Sequence, residues 1–529
     1  MLEKILNLVT VLAKYLYLVI RISHFSKLLL EVTLLNIILL SLLGVIGFVL
    51  FLKYRPKSYE SILIDKEEAI NISTRHIKKL TNIDVSDWQP YCMYWYDRET
   101  VNRLHNLNML NRLRTTLYKW GIIESWRIRF VSQNKSISIG INADKEIVFM
   151  HVDVRSQEMG TNEINIQSPL DVIKALTVNN SGIWSKVKST GEGERKEDFS
   201  NIRTYWYILE EEELRMKISI QVQENVIIGI LSDTEILTSN MGEIVKKEFG
   251  ESALNLSGFI GSFIATIIGI LLLIFTDNAV YLKTPIIITL FTIVGVLLTC
   301  KEDISMGIIN SFDSRLSVKS VYLIGIISAI MGSIAYGCVT FITSLTGINL
   351  ATVLELPLFE NVGMQVLTGV LISFISLGLF SSIFHYMDKN NLIRISPELS
   401  DRSSYLSGFK LKQSLSISLQ SSVTEEVIFR LLGISTLLWL FNNNLLAVTI
   451  TSVLWSLLHQ GSGYNPRFIR WIQLVLFGFI LGFTYLYYGF LAALITHFVH
   501  NFIVLSIPLI YYKIQMKAGK VENTHNIQY

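Results

Sequence analysis

The sequence predicts an α-helical multi-pass membrane bundle of about nine or ten spans carrying an inserted α+β soluble domain. Three observations point there. The 529 residues are 50% hydrophobic and 17% charged, with a mean hydropathy of +0.44, too apolar for an ordinary soluble protein of this length. Uncharged apolar runs long enough to cross a bilayer recur along the chain. Between the first of them and the rest lies a stretch rich in charge, Trp and Tyr, in which the apolar pattern becomes that of helices and half-buried strands.

In chain order, residues 1–57 form an N-terminal membrane anchor. Leu2–Ile22 mixes apolar residues with Lys4, Lys14 and Arg21, and no small-residue cleavage site follows. This segment either spans or lies in the interface as a basic amphipathic helix. Val32–Leu52 is uncharged and ends at the stop KYRPK. Its 21 residues, at ~1.5 Å each, cover a ~30 Å hydrocarbon core.

Residues 58–251 form the soluble domain. Asp65–Leu80 has helical periodicity, and WRIRFV, SISIGIN and EIVFMHVDV alternate as strands within Trp126–Val154. A similar order recurs with a helix over Pro169–Val178 and strands TYWYILEE, LRMKISIQV and NVIIGILS. These are two weak repeats of a helix followed by an antiparallel sheet. They resemble the small helix-plus-sheet modules of the peptidase-propeptide type in bacterial envelope proteins. No paired His, Cys or acidic cluster in them suggests chemistry, so binding of a substrate or a regulator is the expected task, with a plain structural spacer as the alternative.

Residues 252–400 supply accessory spans at Leu254–Phe275, Thr284–Cys300, Val321–Leu345 and Gly363–Met387. Residues 401–529 supply a core of Ser414–Phe441, Leu446–His459, Phe468–Tyr487 and Phe490–Tyr512. Basic residues fall on every second connection: Lys301, Arg315 and Lys319; Lys389, Arg394, Arg402, Lys410 and Lys412; Arg467 and Arg470; Lys513, Lys517 and Lys520. The positive-inside rule makes that side cytoplasmic, and parity puts the soluble domain there too. Heavy use of Ile, Asn and Lys suggests an AT-rich bacterial genome, hence a bacterial cell membrane. The net charge of +3 and the lack of a basic cluster interleaved with aromatics argue against nucleic acid as a partner. Cys92, Cys300 and Cys338 follow no metal-ligand spacing and imply no disulfide framework.

The chemistry concentrates in the last quarter. Ionisable groups inside apolar segments are costly, so Glu425 and Glu426 with Arg430 mark a functional site. On a helix, Glu426 and Arg430 share a face and form an ion pair, which leaves Glu425, rotated by about 100°, for another role. Trp455 precedes His459 by one turn on the next segment, and His497 precedes Asn501 by one turn on the last, with His500 nearby. The set suits amide hydrolysis: Glu425 with His459 to activate water and protonate the leaving amine, and His497 with Asn501 to hold the oxyanion. Glu425, His459 and His497 also make a His2Glu set that could take zinc, and a metal-free mechanism is equally open.

EExxxR, an aromatic-x-x-x-His and HxxxN in this order resemble the CPBP (CAAX protease and bacteriocin-processing, or Abi) family of intramembrane endopeptidases. The match runs over about Lys412–Tyr512. The resemblance implies that Glu425 activates water, Glu426 and Arg430 are structural, His459 and His497 complete the catalytic set, and Asn501 helps stabilise the oxyanion. One departure is Trp455, where the family usually has Phe, and an aromatic packing role survives that change. HExxH, GxSG and GxGD are all missing, which sets aside the other intramembrane protease classes. The bilayer and a membrane-associated protein or peptide substrate are the partners this implies. The alternative is a non-enzymatic membrane scaffold or bacteriocin-immunity-type protein that uses the polar cluster for packing. A transporter would show an inverted repeat, and none is recognisable.

Overall fold

A computed structural model describes residues 33–55, 64–133, 135–154, 168–176, 183–189, 195–196, 202–238, 241–274, 282–312, 316–395, 410–459 and 463–517. The segment Leu2–Ile22 and the end of the helix expected to reach Val178 lie outside them.

The membrane part begins with α1 (Thr33–Tyr54). After the soluble domain come α7 (Met241–Ile274), α8 (Lys283–Leu297), α9 (Cys300–Asn310), α10 (Val318–Val353) and α11 (Val362–Lys389). The core follows as α12 (Leu411–Glu425), a π-helical segment (Glu426–Ile434), α13 (Ser435–Phe441), α14 (Asn444–Leu457), α15 (Phe468–Tyr488) and α16 (Phe490–Lys517). Every apolar segment expected from the sequence between Val32 and Tyr512 is helical. Among the described residues seven helices are long and apolar enough to cross a membrane. The two that fall short carry the first two motifs, and the third lies on the full-length α16. Leu411–Phe441 is diluted by buried Ser414, Ser416, Ser418 and Ser422, and α14 is only 14 residues long. Both are bundle-interior helices, which need less lipid-facing apolar surface.

α1 lies along α11 where Gly47 and Gly378 cross. A Cβ on Gly378 would stand 2.2 Å from the Gly47 carbonyl oxygen, so only glycine permits this approach. At the centre, Val423, Val427, Leu431 and Ile434 pack against Ile348, Ala351, Ala447, Val448 and Tyr485. Gly347 on α10 sits against the π segment, where a Cβ would be 2.9 Å from the Leu431 carbonyl carbon.

The soluble domain is an antiparallel sheet with helices against it. α2 (Lys66–Thr81) is capped by Asp65, whose side chain accepts from the Glu68 amide. Then come β1 (Gln89–Tyr96), α3 (Arg98–Asn106) and α4 (Leu110–Trp120). The first meander is β2 (Glu124–Ser132), β3 (Lys135–Ile141) and β4 (Ile147–Asp153). Two short helices, α5 (Pro169–Lys174) and α6 (Ile183–Lys186), precede β5 (Lys188–Ser189) and β6 (Arg195–Lys196). The second meander is β7 (Ile202–Glu211), β8 (Leu214–Gln223) and β9 (Val226–Ile236). The strand order is β1-β2-β3-β4-β9-β8-β7-β5, with β6 also on β7. The last strands of the two meanders therefore meet, antiparallel, with Met150 opposite Ile230. Antiparallel pairing of equivalent strands relates the halves by an approximate two-fold axis.

Among the described residues, the contacts that fix the domain to the bundle include two groups. Arg129 on β2 is buried and donates to the Ile308 carbonyl at 2.7 Å and Ser311 Oγ at 3.2 Å, so a cation closes the carboxyl end of α9. The end of α3 holds the connection between α14 and α15: Asn465 donates to the His105 carbonyl at 3.1 Å, and Arg467 donates to Asn106 Oδ1 at 3.2 Å while pairing with Glu251. The same connection forms β11 (Tyr464–Asn465), which pairs with β10 (Arg394–Ile395).

Candidate active site

Four helical elements converge on one cluster. Glu425 closes α12 and Glu426 opens the π segment, a wide-turn geometry that is rare in helices and concentrated at functional sites. Glu426 and Arg430 are fully buried and joined at 3.1 Å, as the i, i+4 spacing predicts. The Arg430 guanidinium lies 4.6 Å over the Trp455 ring, so it is held by a carboxylate on one side and a π-face on another.

Glu426 does a second job. Its Oε1 accepts from His497 Nδ1 at 2.7 Å as well as from Arg430. A carboxylate only accepts, so His497 Nδ1 carries a proton, and in the neutral ring the Nε2 lone pair is left bare. His459 is set in the same way, with Nδ1 3.0 Å from the Trp455 carbonyl. The two bare Nε2 atoms face the same oxygen: Glu425 Oε2 is 3.9 Å from each. That oxygen also accepts the Trp455 indole N–H at 2.5 Å. Trp455 therefore does more than pack. Its N–H orients Glu425, which the phenylalanine usual at this position could not do.

Access comes from the His459 side. The His459 and Glu425 side chains are 31% and 24% exposed, against 3% for His497. His459 follows the short α14, and its carbonyl accepts from Trp471 Nε1 near the start of α15 at 2.9 Å, so it lies at the end of the bundle that meets the soluble domain.

Asn501 is on the same face of α16 as His497, but its amide donates to Ser421 Oγ at 3.1 Å, one turn before Glu425. An amide carries two N–H bonds, and this contact uses one. His500 sits apart from the cluster, with Nδ1 3.0 Å from Ser376 Oγ and its ring 4.3 Å from that of Phe477. Ser421, Ser376, Phe477 and Trp471 are the supporting residues that sequence reasoning did not single out. A lone Ser or aromatic residue in an apolar helix carries no signal of its own.

The donor chemistry of Glu425, His459 and His497 suits a divalent cation, but the spacing does not as it stands. Among the described residues no group of three His, Cys, Asp or Glu side chains is placed to hold a metal ion. Ligands about 2.0 Å from a tetrahedral zinc lie about 3.3 Å apart, closer than the 3.9 Å found here. The indole N–H also occupies Glu425 Oε2. A water molecule, with partners at about 2.8 Å, fits the wider spacing.

The chain is 40% identical over 481 residues to the sporulation-killing factor biosynthesis protein SkfC of Bacillus subtilis (strain 168), covering 91% of this chain and 97% of that protein. Residues 408–503 match the family model described as type II CAAX prenyl endopeptidase Rce1-like. This chain belongs to the CPBP family. No solved structure matches it. Membership makes the chain a multi-pass membrane protease of the CAAX type, and the matched region of the CPBP core contains every residue of the cluster from Glu425 to Asn501.

Proposed function

We propose that the chain hydrolyses a peptide bond of a membrane-associated precursor peptide, with water activated by Glu425 and His459. The observation that carries this is the pair of imidazole Nε2 atoms 3.9 Å from one Glu425 oxygen. A water between them gives one hydrogen to Glu425 Oε2 and points the other at His459 Nε2. Its oxygen attacks the carbonyl carbon as the O–H bond to Glu425's proton breaks. His497 Nε2 takes that proton from Glu425 and, now an N–H, joins the Asn501 amide in donating to the oxyanion. Collapse re-forms the C=O bond and breaks the C–N bond, and the leaving amine takes the proton held by His497 Nε2. Glu426 and Arg430 touch no reacting atom in this scheme; they hold His497 in the required tautomer. No step needs a metal, and a zinc-dependent route would need Glu425 to turn from the indole.

The relative's name ties that protein to making a sporulation-killing factor. By that likeness the substrate here is a toxin-like or leader-bearing peptide rather than a prenylated protein. The soluble domain faces the cytoplasm in this proposal, because Arg394, Arg467 and Lys410 all lie at the bundle end that carries it.

The test is cleavage of membrane-anchored peptides in liposomes by the wild type, Glu425→Gln and His459→Ala, with bound zinc measured alongside. Loss of a positioned base costs about 10²–10⁴-fold, and both variants are expected in that range. Equal cleavage by Glu425→Gln would overturn the mechanism, and activity that tracks stoichiometric zinc would replace it with the metal route.

A further inference from the structure

A cavity away from Glu425 lies in the soluble domain where the sheet meets the end of α9. It encloses about 370 Å³, within the range of small-ligand sites. Arg127 dominates it. Its guanidinium is stacked between Trp95 at 4.8 Å and Phe149 at 4.1 Å. Across the sheet, Arg127 pairs with Gly140 and Gly140 with Phe149. A Cβ on Gly140 would meet Phe149 Cβ at 2.8 Å and Arg127 Cζ at 3.3 Å, so the glycine makes room for this stack.

The charge of Asp97 reaches the guanidinium, but no hydrogen-bonded acceptor sits on it among the described residues. Arg127 Nε is shielded from solvent with no hydrogen-bond partner, and the guanidinium donates to no described residue. A desolvated guanidinium ordinarily finds a carboxylate or a carbonyl. With two aromatic rings close to its Cζ, the guanidinium has its N–H edge to offer a ligand, and that edge matches a planar carboxylate. Asp97 and Asp233 share the lining with Thr100 and Ser138. Two carboxylates disfavour a dianionic phosphate while providing acceptors for peptide N–H groups. Trp120, Val148 and Leu231 add apolar wall for a side chain.

We infer that this cavity binds a short peptide segment through one carboxylate, with Arg127 as its anchor. Either a chain terminus or an Asp or Glu side chain supplies that chemistry. Binding does not depend on the peptidase mechanism and is read without cleavage.

The experiment uses the full chain in nanodiscs and equilibrium dialysis of N-acetylated tripeptides: one with a free terminal carboxylate, its amide, and an amide with a central Asp. Saturable binding of at least one carboxylate peptide is expected, at least tenfold weaker for the fully amidated peptide and for Arg127→Gln. Preference between the first and third probes names the source of the carboxylate. Ser232→Trp, at the exposed rim, should also block binding without disturbing the core. Equal binding of acid and amide, displacement by equimolar inorganic phosphate, full binding by Ser232→Trp, or no binding of any peptide at 5 mM would each overturn the inference.

Discussion

Removing either member of the Glu426–Arg430 pair should cost far more than removing both. The two side chains are 0% and 1% exposed and 3.1 Å apart. Arg430→Met leaves a buried carboxylate with only His497 beside it, and Glu426→Leu leaves a buried guanidinium with only the Trp455 face. Each single change breaks a buried ion pair, at about 3–5 kcal/mol. The double variant Glu426→Leu/Arg430→Met buries apolar groups of similar volume and should fall within about 1–2 kcal/mol of wild type. Reversible unfolding in mixed micelles, followed by tryptophan fluorescence, gives the cycle directly. Additivity within about 0.5 kcal/mol would show that the pair is not coupled and would refute the reasoning. The double variant makes a second point, because it removes the acceptor that keeps the His497 proton on Nδ1. It should be well folded yet cleave at least ~100-fold more slowly, as when a histidine loses its orienting carboxylate in a serine-protease triad.

Trp455→Phe keeps the ring over Arg430 but deletes the N–H on Glu425. A charge-assisted hydrogen bond of about 1.5–3 kcal/mol is lost, so kcat should fall about 10–100-fold with KM little changed. Arg129→Leu removes two donors from the end of α9, and hydrogen exchange over residues 301–312 should accelerate by about 100-fold or more while β7 to β9 stay protected. Burial pushes the Cys92 thiol from its ordinary 9.0 up to about 12. The native state holds this proton longer than the unfolded chain, so stability should decline as pH rises from 9 toward 12. At pH 8, iodoacetamide should modify Cys92 about 1000-fold more slowly in the folded domain than in urea, a difference read by mass spectrometry.

Spacing made part of this legible in advance. The four-residue interval from Glu426 to Arg430 required a shared helix face, and alternation in WRIRFV and its neighbours required strands. Those are local regularities, and local regularities survive in a sequence. The strand QPYCMYWY alternates too weakly to be recognised, and its pairing with β2 depends on partners 28 to 42 residues away. Nothing in the repeats reveals that β4 and β9 would join. At the site, the order of motifs brought Glu425, His459 and His497 to mind together, but the role of the indole N–H depends on rotamers set by packing. Asn501 illustrates the same limit: its position on α16 was plain, and its contact with Ser421 was not.

The π segment from Glu426 to Ile434 is wound wider than the α-helices on either side of it. In an α-helix each residue turns the chain by about 100°. Deleting one residue from this stretch would swing everything from Ser435 onward out of phase with α10 and α14. A chain could keep EExxxR unchanged and still lose the partners beyond it. The distance in residues from Glu425 to Phe441 is thus a criterion for sorting homologues, separate from the motif itself, and an aligner that gaps this stretch freely would erase it.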